Sequence, residues 1–473
     1  MPDAMGVNEK SKTQTTQVLW LRNDLRLHDH EGFRLAIQNG SPLAVVFILP
    51  QHWLEEDAYG MTRLGSAKAH FLRASLIDLH RQLEDQTIDL HMYLGDPVDI
   101  LTRLRDEICG NMRLITSVAQ APEEAAWLST LAEYDMEIET YESQTLFTEQ
   151  QMETLLQDFP ASFSKFRKTV ESNADNWCVP ESTPPSRLSI HEHALRTEAH
   201  ISWPSSDYAV RLEFQGGERA GLHWLEDYLW QEKAIAHYKD TRNQLKGRYS
   251  SSHLSLWLAW GCLSPRFVWH EILKYEASYG SNEQTYWLRF ELLWREYFHW
   301  SLRVHGRKLF YPGGLQGNRA THSFSEPHWQ AWCHANTGLP MVDAGLRELR
   351  HTGFVSNRLR QNMASYFIHQ LKLDWRLGAR WFEMYLADFD VASNYGNWAY
   401  IAGCGHDPRP VREFNLNKQL QQYDPELKHI KCWCPEVDNF SLQEILDHQS
   451  NRTLIQSFPK PMVTVPAYDM KYD

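Results

Sequence analysis

The feature that most constrains this chain is an alternation that runs through its first third and then stops. Residues 18–21, 43–49, 88–94, 113–118 and 137–141 are short apolar or alternating segments that read as strands. Amphipathic stretches at 31–39, 66–85, 97–108 and 122–134 separate them. Repeated strand–helix units with short joints predict a parallel sheet doubly wound with helices on both faces. Asp29 is placed to cap the first helix, and Pro97 suits a first helical turn after Asp96. Ligands of such sheets sit beyond the carboxyl ends of the strands, where 22–29 and 95–96 lie. No G-x-G-x-x-G follows any strand, so nothing here argues for a dinucleotide on this domain.

From about 145 to 215 the pattern dissolves, and Pro180, Pro184 and Pro185 mark a turn-rich joint. After Gly216 and Gly217 the period becomes helical and Trp-rich, to about 435; Pro459, Pro461 and Pro466 punctuate the last stretch. The expected fold class is therefore α/β plus all-α. Its parts are an α/β domain at 16–145, a linker at 146–215, a helical domain at 216–435 and a loosely attached tail at 436–473. Forty-seven basic residues against sixty acidic ones give a net charge of −13. No global positive field attracts nucleic acid, and any DNA footprint must be a local basic groove. The longest apolar run, 43–49, is too short to span a membrane, and the polar first twenty residues lack a signal-peptide core. Seven scattered cysteines form no disulfide framework. The expectation is a cytoplasmic protein with no membrane segment.

Three segments could carry chemistry. Glu291, Trp294, Arg295 and Phe298 fall at i, i+3, i+4 and i+7 and share one helix face. Such a stripe is usually core, but a carboxylate and a guanidinium within it need partners or a ligand. Phe354, Asn357, Arg360 and Gln361 line up similarly and suit either an exposed polar face or a site. Asp388 and Asp390 before Asn394 fit helix caps, a Mg²⁺ site or hydrogen bonds to a polar ring. The run Tyr249 to Ser255, with four serines, is a phosphate cradle or a plain loop. Cys432 and Cys434 lack zinc-site spacing, and there is no H-E-x-x-H, G-x-S-x-G or Walker A sequence. No metal site is expected.

Together these segments resemble the photolyase/cryptochrome flavoproteins over roughly residues 16 to 430. The carriers are Leu19-Trp20-Leu21-Arg22-Asn23-Asp24-Leu25-Arg26, Asn357-Arg358-Leu359-Arg360, and Asp388-x-Asp390 through Trp398. Several stretches are similar to the DASH cryptochrome branch: Phe163-Ser164-Lys165-Phe166-Arg167-Lys168, Tyr238-Lys239-x-Thr241-Arg242-Asn243, Phe290 to Arg295, Ser393 to Trp398, and Ala402-Gly403-x-Gly405-x-Asp407-Pro408-Arg409.

The resemblance implies one noncovalent FAD in the helical domain. Tyr238, Ser251, Ser252, Leu254, Ser255 and Arg295 would cradle its diphosphate and ribityl chain. Asn357, Arg360, Asp388, Asp390 and Asn394 would surround the isoalloxazine, with an Arg360–Asp388 ion pair and Asn394 facing N5. The implied activity is that of a deoxyribodipyrimidine photo-lyase, in which excited reduced FAD lends one electron to a cyclobutane pyrimidine dimer. Glu291 would hydrogen-bond the dimer, Trp294 stack on it and Asn357 add a polar contact. Gln361 and Tyr400 stand where duplex-active photolyases carry Met and Trp, which agrees with a preference for single-stranded DNA. Trp398 and Trp375 match the inner tryptophans of the family's photoreduction chain; counting places His322 at the outer position, and Trp381 is a detour. The family can also carry a methenyltetrahydrofolate antenna, but Pro122 stands at the position of its folate-binding glutamate, so folate is not expected. The implied partner is single-stranded DNA containing dimers, met by a monomer. Arg295, Arg303, Arg307, Lys308, Arg358 and Arg409 are the candidates for phosphate contacts. The alternative is a blue-light photoreceptor that binds nucleic acid without repairing it, less suited to the short stretch after 430.

Overall fold

The computed structural model describes residues 15–37, 41–108, 111–172, 179–180, 201–205, 210–317, 324–406 and 413–467. Five parallel strands, β1 (Thr16–Leu21), β2 (Leu43–Pro50), β3 (Leu90–Gly95), β4 (Met112–Ser117) and β5 (Glu137–Tyr141), form one sheet in the order β3-β2-β1-β4-β5. Helices α1 (Glu31–Ile37), α2 (Ser66–Glu84), α3 (Pro97–Glu107) and α4 (Pro122–Glu133) connect them. Both faces of β1 are covered. Leu19 and Leu21 join the main core, while Val18 and Trp20 join a second core with Ile100 and Leu104 of α3. Burial on both faces explains why the inner strands are continuously apolar. Asp96 caps α3, accepting from the amides of Val98 (2.8 Å) and Asp99 (3.2 Å).

The helical part comprises α7 (Glu218–Glu226), α8 (Tyr238–Thr241), α9 (Ser255–Ala259), α10 (Pro265–Tyr279), α11 (Glu283–His305), α12 (Glu326–Cys333), α13 (Pro340–Thr352), α14 (Asn357–Ser365), α15 (Trp375–Tyr385) and α16 (Val391–Ile401). Three more helices follow, α17 (Leu416–Tyr423), α18 (Lys428–Trp433) and α19 (Leu442–Gln449).

Three expectations need correction. The stretch read as a linker begins with two helices, α5 (Glu149–Gln157) and α6 (Phe163–Ser172). Met152, Phe163, Phe166 and Val170 are buried against the main core, the last three at the i, i+3, i+7 spacing of a short helix. The stretch after 435 is not loose, because Val437, Ile445, Phe458 and Val465 are buried and Met462 N donates to Thr337 O (2.9 Å). Asp29 does not cap α1: it lies at φ 45° and its carboxylate turns to Ser264 and Arg266 of the helical part. Pro184 and Pro185 lie outside the described residues.

The strand order reverses between β1 and β4, and the crevice there is the usual ligand position of such sheets. Here α15 and α2 close it. Arg63 Nε donates to Glu383 (2.6 Å), its Nη1 reaches Glu123 (2.8 Å), and Lys68 donates to the carbonyls of Arg63 and Glu383 (both 2.9 Å). Glu124 pairs with Arg22 (2.9 Å) and accepts from the Gln120 amide (2.7 Å). Pro122 is the first residue of α4. The remaining cavity is about 50 Å³. No helix among the described residues is long and apolar enough to cross a membrane.

Candidate functional site

Helix α11 organises the site. Asn282 caps it, accepting from the amides of Gln284 (2.9 Å) and Thr285 (3.1 Å). One side is anchored by Leu288, Leu292 and Trp300, and by fully buried Glu296. That carboxylate accepts from Leu146 N (2.7 Å), Phe147 N (3.1 Å) and Trp300 Nε1 (2.6 Å). Its opposite face presents Glu291, Trp294, Arg295 and Phe298 to a cavity of about 350 Å³. Across the cavity stand Phe354 and three residues of α14, Asn357, Arg360 and Gln361; Ser356 caps α14 on the Leu359 amide (3.3 Å). Tyr238, Ser251, Ser252, Ser255, Asp388 and Tyr400 complete the expected lining. A smaller chamber of about 80 Å³ shares Asn357, Arg360 and Asp388 and adds Asp390, Asn394 and Trp398.

The polar groups are partly committed and partly free. Asp388 Oδ2 accepts from Arg360 Nη2 (2.9 Å) and Ser255 Oγ (2.7 Å), while its buried Oδ1 has no partner among the described residues. Asp390 is a cap, accepting from Ser393 N (2.6 Å), and its Oδ2 meets His299 Nε2 (2.9 Å). Burial alone would raise the Asp390 carboxyl, but His299, Arg295 and Ser393 hold it well below the usual range. Asn394 Nδ2 donates to Ala379 O (3.0 Å), which fixes the amide at the chamber wall. His253 is pushed down to about 4 by burial, so a neutral ring faces the cavity at neutral pH. Glu291 pairs with Arg242; burial raises its carboxyl and Arg242 opposes that. Arg295 turns both terminal nitrogens onto Gln144, and burial lowers its pKa. Among the described residues no group of three or more His, Cys, Asp or Glu could hold a metal ion.

The fold brings the three segments to one cavity. It does not bring everything. Leu254 is buried and accepts from the amides of Trp257 and Leu258, so it meets the cavity only through its neighbours. Trp375 is fully buried, with Nε1 on Pro312 O (3.1 Å), and lines neither chamber. Trp398 lines the smaller chamber, and its ring lies 5.6 Å from Phe367, which lies 6.4 Å from Trp329. Trp329 in turn meets Trp381 (5.7 Å) and the exposed ring of Tyr59 (6.2 Å). His322 and Arg409 lie outside the described residues. Arg303 is spent on Glu142, with Nη1 at 2.5 Å and Nη2 at 2.6 Å, whereas Arg307 and Lys308 are exposed. Arg242, Asn243, Phe290 and His253 line the cavity without having been assigned a role. Arg242 and Asn243 do fall in the Tyr238–Asn243 motif, the one signal that could have found them.

An open chamber with an unpartnered carboxylate oxygen, a guanidinium and three serine positions fits a ligand carrying both polar rings and phosphates. A family model described as the FAD binding domain of DNA photolyase matches residues 287–470, and one described as DNA photolyase matches 17–186. The cryptochrome DASH of Synechocystis sp. is 37% identical over 433 residues, covering 90% of this chain and 88% of that protein. The cryptochrome DASH of Xenopus laevis is 34% identical over 469 residues, covering 95% and 90%. The crystal structure of the Synechocystis sp. PCC6803 cryptochrome superposes with a TM-score of 0.88 at 36% identity over 96% of this chain and 97% of that one. A bacterial class III photolyase from Agrobacterium tumefaciens gives 0.77 at 25% over 97% and 96%. With a parallel-sheet domain, a helical FAD-binding domain and relatives at this identity over nearly the whole length, the chain belongs to the cryptochrome DASH group of the photolyase/cryptochrome family.

Proposed function

We propose that this protein repairs cyclobutane pyrimidine dimers under blue light, preferentially in single-stranded DNA. The observation that supports this best is that one cavity is lined both by Arg360 and Asp388 and by Glu291, Trp294, Asn357, Gln361 and Tyr400. When bound, FAD supplies the light absorption and the one-electron chemistry that breaks the dimer's ring bonds. The chain's task is to hold the two groups edge to edge and to keep competing water out. Asp388, whose Oδ1 has no partner among the described residues, would accept from the flavin's polar edge, and Arg360 would neutralise it. Asn394 presents a neutral amide to the ring, so no side chain there donates a proton. At the mouth, Trp294 stacks on the dimer and Asn357 and Gln361 meet its polar edges, with Tyr400 beside them. Glu291, half-buried and raised by burial, donates to a base carbonyl when protonated or accepts from an imide N–H when ionised. Trp398, at the chamber wall, would pass electrons toward a bound flavin, with Trp375 and Trp381 as further members of the route.

A dimer in a duplex must be flipped out at a cost of a few kcal/mol, which a single strand avoids. The test is blue-light repair of one thymine dimer in matched single- and double-stranded oligonucleotides, with the flavin chemically reduced beforehand. Repair is expected in the single strand. Equal repair of both refutes the preference; no repair of either, with FAD bound and reduced, removes the enzymatic reading.

A further inference from the structure

The indole of Trp294 is already stacked on one side. Phe163, the first residue of α6, lies parallel to it at 3.8 Å between ring centroids and 16° between planes. Phe163 is buried, while Trp294 is half-buried and lines the cavity. The phenyl ring is held edge-on by Phe290 (5.1 Å, 88°) and Tyr297 (5.9 Å, 68°). Arg167, further along α6, stands over Phe290 at 5.6 Å. The indole at the mouth is therefore backed by a helix from outside the FAD domain.

This stacking has a consequence for recognition. An indole has two faces and rotates about two side-chain torsions. Phe163 takes one face and restrains the plane, with Phe298 (5.4 Å, 32°) and Tyr400 (6.4 Å, 80°) also against the indole, so what is exposed to the cavity meets a base in a narrow range of orientations. The two rings of a pyrimidine dimer are locked to each other and cannot adjust to a tilted indole. Separate, undamaged bases can. A fixed indole therefore favours the rigid lesion over normal sequence.

We propose that Phe163 is a positioning residue that gives Trp294 its selectivity for the dimer, an inference that rests on Trp294 being the dimer-stacking residue. The test uses the full-length, FAD-loaded protein in the dark. Binding is measured to a short oligothymidylate with one central thymine dimer and to the same strand undamaged. Phe163→Leu and Phe163→Met both keep an apolar side chain of similar volume; Phe163→Tyr keeps the ring. Both aliphatic variants should weaken binding of the dimer strand by about tenfold and leave the undamaged strand and the flavin content unchanged. In light the loss should appear in KM and not in kcat, and Phe163→Tyr should restore wild-type values. Unchanged dimer binding in a flavin-loaded aliphatic variant overturns the proposal, as does equal loss on both strands. If the wild-type protein itself fails to discriminate, the dimer-site reading fails first, and that is visible before any variant is made.

Discussion

Asp388→Asn tests the flavin site at its most exposed assumption, that a paired carboxylate is needed where a neutral amide of the same shape would fit. The Asp388 side chain is 2% exposed and accepts from Arg360 (2.9 Å) and Ser255 (2.7 Å) through one oxygen. The other oxygen is buried and free. Arg360 also donates Nε to Val355 O (2.9 Å), so it stays in place when its partner changes. A hydrogen bond to a charged group contributes about 1.5–3 kcal/mol and a neutral one about 0.5–1.5 kcal/mol. Two such bonds are weakened, and the amide also presents an N–H₂ in place of one acceptor. Full burial of an unpaired charge would cost about 3–5 kcal/mol, but Arg360 is 21% exposed, which lowers that figure. The net cost is about 2–3 kcal/mol, or roughly 30–150-fold in FAD affinity. In the empty cavity water can solvate Arg360, so the cost falls on binding more than on folding. The assay is flavin released per protein after exhaustive dialysis, with circular dichroism as the check on fold. Ser255→Ala, which removes one hydrogen bond to the same oxygen, should lose about 1 kcal/mol, roughly fivefold. An Asp388→Asn protein that retains full FAD through dialysis would refute the reasoning.

Two further outcomes are expected. Glu291→Gln should weaken binding of a dimer-containing single strand by roughly tenfold, the difference between a charged and a neutral hydrogen bond, and leave FAD content unchanged; undiminished binding in a dark anisotropy titration would remove Glu291 from the dimer site. The fold should weaken between pH 6.5 and 4, because burial pushes His30, His253 and His406 each down to about 4 while the unfolded chain takes up those protons near 6.5, a slope of up to about 4 kcal/mol per pH unit from three groups, opposed below 6 by Asp343, which burial raises to about 6. Urea midpoints that stay flat from pH 7 to 4.5 would contradict it.

What sequence could supply was set by the range of the interaction. Strand and helix periods are local, so β1 to β5 and α2 to α4 fall within one or two residues of their expected ends. The i, i+3, i+4, i+7 face of α11 is local as well, and it does line the cavity. The two contacts that now define the mouth, Phe163 on Trp294 and Arg242 on Glu291, join different elements, and nothing in either partner's neighbourhood names the other. The stretch 22–29 shows the limit most sharply. Charged residues beyond a strand's carboxyl end either bind a ligand or satisfy buried backbone, and both fates use the same residue types. Arg26 takes the second. It is fully buried, and its guanidinium donates to the carbonyls of His28 (3.0 Å), Asp29 (3.0 Å), Ser143 (3.2 Å) and Gly261 (2.9 Å). Glu218 in turn accepts from the amides of Leu27 (2.8 Å) and His28 (2.9 Å). Burial lowers the Arg26 pKa while Asp29 and Asp24 oppose it, so the charge is kept by partners from two parts of the chain. One of the motifs that carry the family resemblance therefore acts as the clamp between the sheet and the helical part. A resemblance carried by such a motif argues for the fold, whereas the argument for chemistry has to rest on the residues that face the cavity.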